Sequence, residues 1–224
     1  MTQKIKIGNL SCLCSSPIRK DKIAYILYPM DILGNWIEPA AEKYGVTIVA
    51  VTGMDWQNVF SPWPAPGVPA GDPDFKGESP EFLKLLQTQV IPGIEKTLQM
   101  DIDVERNLVG VSMSGLFTLW EWMECDTFNN IASLSGSFWY EGFIDWMKRI
   151  KIPHKSGMAF FLLGDRESRS NVKAYNSVGV NTAEIIRLLK DAGIKAEFES
   201  VPGNHFADAI PRLEKAFTAL YSCS

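Results

Sequence analysis

The sequence predicts an α/β protein built on a mostly parallel, doubly wound sheet flanked by helices. Three observations carry this. Short β-rich apolar runs alternate with longer amphipathic ones along the 224 residues. Some short runs are apolar at every position, as in Met158-Ala159-Phe160-Phe161-Leu162-Leu163, and a strand needs this when helices cover both its faces. Apolar residues make up 46% of the chain, enough to fill the core of one large domain. A single domain over 1–224 is therefore expected.

Taken in order, the strands fall at 5–10, 23–28, 46–51, 108–111, 131–134, 158–163 and 196–200, and the helices at 33–44, 80–99, 114–124, 141–150, 178–192 and 205–221. Helix punctuation agrees with these spans. Ser79-Pro80-Glu81 supplies a cap followed by proline at the first helical position, and Asp191-Ala192-Gly193 ends a helix on a glycine. The segment at about 52–77 breaks the alternation. It is rich in Pro, Gly and Trp, as in Ser61-Pro62-Trp63-Pro64-Ala65-Pro66-Gly67. A long stiff loop of this kind is uncommon in a compact domain and is more often functional than idle.

Charge excludes several classes. Net charge is −4, and no Lys or Arg run is long enough for a nucleic-acid or anionic-membrane surface. No stretch approaches the ~18 apolar residues of a membrane span, and the first residues alternate polar and apolar where a signal peptide would need an unbroken apolar run. A cytoplasmic location is expected. The four cysteines, Cys12, Cys14, Cys125 and Cys223, have only two histidines to join them. That donor set is too poor for a metal site, and reduced thiols are expected instead.

The main chemical signal is Gly110-Val111-Ser112-Met113-Ser114-Gly115, which runs from a strand into a helix. A nucleophilic serine needs such a sharp turn. There its hydroxyl projects from the sheet edge, and the next backbone N–H, that of Met113, faces the developing oxyanion. The usual pattern is G-x-S-x-G; here Ser114 stands in place of the second glycine. Of the two histidines, His154 follows Pro153 in a polar connection and reads as a solvated loop residue. His205 follows the last strand and opens the last helix, at the carboxyl edge the serine also occupies, which makes it the candidate base. The acid should lie between the two in sequence. Asp165 and Glu167 both leave the penultimate strand at that edge, and either could orient the imidazole. A second oxyanion amide is expected from the loop after the strand at 23–28. Pro29 has no N–H, which leaves Met30, with Asp31 behind it.

With these residues placed, the chain resembles the esterase family of the α/β-hydrolases, the group with feruloyl esterases, enterochelin-type esterases, S-formylglutathione hydrolase and mycolyltransferases. The resemblance is carried by Ser61-Pro62-Trp63-Pro64, Val90-Ile91-Pro92-Gly93, the Ser112 motif, Ser133-Leu134-Ser135-Gly136-Ser137-Phe138-Trp139, Leu163-Gly164-Asp165-Arg166-Glu167 and Pro202-Gly203-Asn204-His205-Phe206. It extends from about residue 23 to the C-terminus. It implies an α/β-hydrolase fold and a Ser–acid–His esterase with no cofactor. It also implies Glu167 as the acid, three positions past the glycine that ends its strand, with Asp165 as the alternate.

The expected chemistry is hydrolysis of a small-molecule carboxylic ester through an acyl-enzyme. Trp36, Trp56, Trp63, Phe138 and Trp139 are the candidate substrate contacts, since aromatic side chains in loops can stack on a ring. No Lys or Arg cluster beside the motifs points to a strongly anionic substrate. Two other readings fit the same residues: an acyltransferase, in which a sugar hydroxyl replaces water, and a non-catalytic binding protein on a hydrolase scaffold. The second predicts a broken triad, whereas all three members can be assigned here. The sequence carries no signal for oligomeric state.

Overall fold

The protein is described here by a computed structural model covering residues 2–28, 33–206 and 208–221. In chain order its strands are β1 (Gln3–Ile7), β2 (Leu10–Cys14), β3 (Lys22–Leu27), β4 (Thr47–Thr52), β5 (Pro64–Ala65), β6 (Phe75–Lys76), β7 (Glu105–Val111), β8 (Asn130–Leu134), β9 (Met158–Gly164) and β10 (Lys195–Val201). The helices are α1 (Ile37–Tyr44), α2 (Trp56–Val59), α3 (Ser79–Leu85), α4 (Ile91–Leu98), α5 (Met113–Glu124), α6 (Phe143–Arg149), α7 (Val178–Asp191) and α8 (Ala209–Tyr221).

Eight strands form one sheet in the order β1-β2-β4-β3-β7-β8-β9-β10. From β4 to β10 every neighbouring pair is parallel, while β1 pairs antiparallel with β2 and β2 with β4. The sheet is thus mostly parallel, as its doubly apolar strands require. Alternation along each strand sends neighbouring residues to opposite faces. Tyr25, Leu108, Ile131 and Phe161 pack on one face with α4, α5 and α7. Ala24, Val109, Ala132 and Phe160 pack on the other with α1 and α8. Every residue of β9 is buried.

Four of the differences from the sequence expectation have a clear local reason. The strand expected at 5–10 is a hairpin: Ile7 pairs with Leu10 around Gly8-Asn9, with Gly8 at φ 57°. The helix expected at 80–99 is broken, and the π segment Leu86–Val90 stands between α3 and α4. Pro92, which lacks an N–H and crowds the carbonyl four residues back, forces that change of register. The helices expected from 33 and 205 begin at Ile37 and Ala209. Pro39 and Pro211 then fall in the first turn, where proline is tolerated. His205 therefore sits in a turn ahead of α8 rather than inside it.

Candidate active site

Parallel strands end together, so the segments after β7, β9 and β10 converge on one edge. Ser112 joins β7 to α5 at φ 58° and ψ −122°, a strained conformation for a residue with a side chain. Its backbone is fixed on both sides. Ser112 N donates to Leu134 O at 3.0 Å, and Ser112 O accepts from Leu116 N and Ser137 N, both at 3.1 Å. Gly110 is required by close approach, since a Cβ there would lie 2.2 Å from Ser114 O and 2.4 Å from Thr118 Oγ1. Ser114 is wholly buried, and its hydroxyl is a connector. It accepts from Val111 N at 2.8 Å and lies 2.7 Å from Leu27 O, at the end of β3.

Ser112 Oγ lies 3.0 Å from His205 Nε2, and His205 Nδ1 lies 3.1 Å from Glu167 Oε2. Glu167 is buried. Its other oxygen, Oε1, accepts from Gly164 N at 2.6 Å, Ser135 Oγ at 2.7 Å and Arg212 Nη1 at 2.9 Å. Burial is the largest influence on this carboxyl and pushes its pKa up. The hydrogen bonds from His205, Gly164 and Ser135 outweigh it and hold the pKa below the ordinary carboxylate value. A hydroxyl, an imidazole and a buried carboxylate chained in this order is the arrangement that activates a serine.

Asp165 occupies a different place. Its carboxylate accepts from Gly203 N at 2.9 Å, while Asp165 N donates to Val201 O at 2.8 Å and Arg166 N to Gly203 O at 3.0 Å. These bonds staple the segment after β9 to the one that carries His205. His154 is exposed, in a loop. Met113 opens α5, so its amide has no acceptor within its own helix. Met30 lies outside the described residues.

Arg212 was not singled out by the sequence. It lies on the buried face of α8, reaches Ser135 Oγ and Glu167 through Nη1, and donates from Nη2 to Asn204 O at 2.6 Å. The available signal was an arginine in the apolar stripe with Leu213, Ala216 and Phe217.

Ser112 and His205 open into a cavity of about 650 Å³. Trp56 and Trp139 line it, as expected, together with Val68, Phe75 and Tyr175. The other three aromatics lie elsewhere. Trp36 stacks edge-on to Phe217 and donates to Glu214 Oε1 at 2.6 Å. Trp63 packs on Phe143 and Trp146 and donates to Glu141 O at 3.0 Å. Phe138 is buried against Phe143 and Phe161. Phe138 is a core residue, and Trp36 and Trp63 are half-buried rings packed against the core. Arg166 and Arg169 also line the cavity, a pair of basic side chains where the sequence reads as holding no Lys or Arg cluster that points to an anionic substrate. They belong to the turn around Glu167.

The sheet, with Ser112 on a strand-to-helix turn at its carboxyl edge, has the α/β-hydrolase fold. The chain belongs to the esterase family, whose model, described as "Putative esterase", matches residues 27–218. It is 24% identical over 162 residues to the uncharacterized protein YbbA of Bacillus subtilis, a match covering 70% of this chain and 65% of that relative. Among solved structures it is similar to an IroE-like serine hydrolase from Shewanella oneidensis, with a TM-score of 0.80 at 15% identity over 99% of this chain and 80% of that one. It is also similar to the siderophore hydrolase EstA from Aspergillus nidulans, with a TM-score of 0.78 at 16% identity over 100% and 94% of the two chains. At these identities the likeness is one of fold. Among the described residues no helix is long and apolar enough to cross a membrane.

Proposed function

We propose that the chain hydrolyses a small-molecule carboxylic ester through a Ser112–His205–Glu167 triad and an acyl-enzyme. The observation that carries this reading is the continuous chain from Ser112 Oγ to His205 Nε2 (3.0 Å) and from His205 Nδ1 to Glu167 Oε2 (3.1 Å), set on a strained strand-to-helix turn.

In the first step Ser112 Oγ attacks the ester carbonyl carbon while His205 Nε2 takes the hydroxyl proton. The Met113 amide donates to the resulting oxyanion, and Met30 is the proposed second donor. In other hydrolases removing one such donor has cost about 3–4 kcal/mol of transition-state stabilisation. The C–O bond to the alcohol then breaks, and the alcohol leaves with the proton from His205. Water, deprotonated by the same nitrogen, attacks the acyl-enzyme and releases the acid. Glu167 holds the imidazole with its Nδ1 proton inward and stabilises the imidazolium that forms twice per turnover.

The working unit is one α/β-hydrolase domain, with the Pro/Trp-rich segment at about 52–77 forming one wall of the cavity. A cytoplasmic setting is supported by the unpaired thiols of Cys12, Cys14 and Cys125. The siderophore ester named for the Aspergillus nidulans relative is one substrate to test. The decisive experiment combines a fluorophosphonate label with turnover of p-nitrophenyl acetate. Wild type should label at Ser112 and turn the ester over, and Ser112→Ala should do neither while keeping its circular dichroism spectrum. Undiminished turnover by Ser112→Ala rules the assignment out.

A further inference from the structure

The cavity beside Ser112 has two unlike walls. Trp56, Val68 and Phe75 follow β4, on one side of β7, whereas Arg166 and Arg169 follow β9, on the other. The apolar wall continues through Trp139 to Tyr175, whose rings lie 4.7 Å apart, and Tyr175 Oη donates to Val68 O at 3.0 Å.

The arginine wall is a built feature. Arg169 N donates to Arg166 O at 3.1 Å, Ser168 Oγ accepts from Gly179 N at 3.2 Å, and Asn176 Oδ1 accepts from Ser170 N at 2.7 Å. The guanidinium of Arg169 has no ion pair or side-chain hydrogen bond among the described residues. That of Arg166 reaches only Asp165, at 3.8 Å, with both side chains more than half exposed. Two acidic side chains share the lining. Glu167 is already met by Arg212 and His205, and Asp72 belongs with the opposite, apolar wall. Arg169, without a side-chain partner, and Arg166, with only its 3.8 Å contact to Asp165 among the described residues, thus share the cavity lining with Ser112 and the Trp139–Tyr175 rings.

Resting on the esterase reading above, we propose that this site selects esters that carry a carboxylate on a compact apolar or aromatic body. The body lies on the Trp139–Tyr175 wall, and the anion is received by Arg169 with Arg166 beside it. A guanidinium whose donors meet no partner among the described residues is well suited to a planar carboxylate.

The test compares matched pairs of esters: phenyl acetate with para-acetoxybenzoate, and methyl benzoate with the monomethyl ester of terephthalate. The quantity read is the ratio of kcat/KM, charged over neutral, within each variant. Wild type should favour the charged member of at least one pair, and the preference should shrink as ionic strength rises. Arg169→Gln should lower the ratio by about tenfold, the size of one charge-assisted hydrogen bond, and Arg169→Glu should lower it further. Arg187→Gln, the same charge change on the far part of α7, should leave the ratio unchanged. A ratio at or below one in wild type, or one that neither Arg166→Gln nor Arg169→Gln lowers, overturns the proposal while the esterase reading stands. Turnover of none of the four esters, together with no labelling of Ser112, defeats the esterase reading itself.

Discussion

Glu167 turns Oε2 to His205 Nδ1 at 3.1 Å and Oε1 to Arg212 Nη1 at 2.9 Å, with Gly164 N and Ser135 Oγ also donating to Oε1. Arg212 also holds the carbonyl of Asn204, the residue before His205. One buried cation thus holds both the Glu167 carboxylate and the loop that bears His205. Arg212→Met removes the buried cation paired with this carboxylate, so about 3–5 kcal/mol of stability should be lost. Loosened triad geometry should lower kcat by about 100-fold, with KM changing far less. Urea unfolding and steady-state kinetics check this, and Arg212→Lys should recover part of both losses. Wild-type kcat in Arg212→Met would refute the positioning role.

Asp165 and Glu167 stand two residues apart yet face different partners, and substitutions should separate them. Asp165→Asn keeps an oxygen for the Gly203 amide, so kcat/KM should stay within a few-fold of wild type. Glu167→Gln removes the charge opposite the imidazolium, and kcat should fall by about 10³–10⁴-fold. The reverse ranking would make Asp165 the acid.

Ser114 is the departure from the glycine pattern, and its hydroxyl is fully used. Ser114→Ala leaves the Val111 amide without its acceptor in a buried site, a cost of about 1–3 kcal/mol. Ser114→Gly should be worse by roughly another 0.5–1 kcal/mol, through backbone entropy in a helix. Chemical denaturation of the three proteins tests the ranking wild type, alanine, glycine.

Glu121 is wholly buried in α5; its Oε1 accepts the Cys125 thiol at 3.0 Å, and its Oε2 has no partner among the described residues. Burial pushes its pKa up to about 7. An unfolded glutamate titrates near 4.3, so the folded state holds the proton more tightly. The stability this contributes is complete below the unfolded value and is lost as pH rises through about 7. Between about pH 5.5 and about pH 8.5 wild type should therefore lose more stability than Glu121→Gln. Equal losses would contradict this reading of Glu121.

Glu167 has the opposite sign. Its folded pKa is depressed, so its contribution is present above the ordinary carboxylate range and is lost as pH falls through the folded value. Below about pH 4 the unfolding free energy of wild type should fall more steeply than that of Glu167→Gln. Parallel acid limbs would count against it.

Three prolines account for most of the element boundaries that periodicity misplaced. Pro39, Pro92 and Pro211 each lie inside an apolar pattern of helical period, and each fixes where its helix starts or changes register. The signal was present in the sequence, but the apolar stripe runs straight through it. The site divides in the same way. Ser112 and His205 were legible because a strand-to-helix turn and a post-strand loop announce themselves locally. Arg212 was not, because an arginine in a helix stripe acquires meaning only from the carboxylate opposite it.

By itself the amino-acid order determined the doubly wound sheet and the strand-to-helix turn that carries Ser112. Apolar period and turn chemistry act over a few residues and need no partner to be read. The residues by themselves left Glu167 and Asp165 open and only the family resemblance preferred Glu167; tertiary structure puts Glu167 against His205, and it alone decided that Trp56 and Trp139 but not Trp36, Trp63 or Phe138 line the cavity, and that Arg166 and Arg169 line it too. Where a side chain points at the end of a strand depends on which distant segment packs beside it, and the β7-β8-β9-β10 order sets that neighbour.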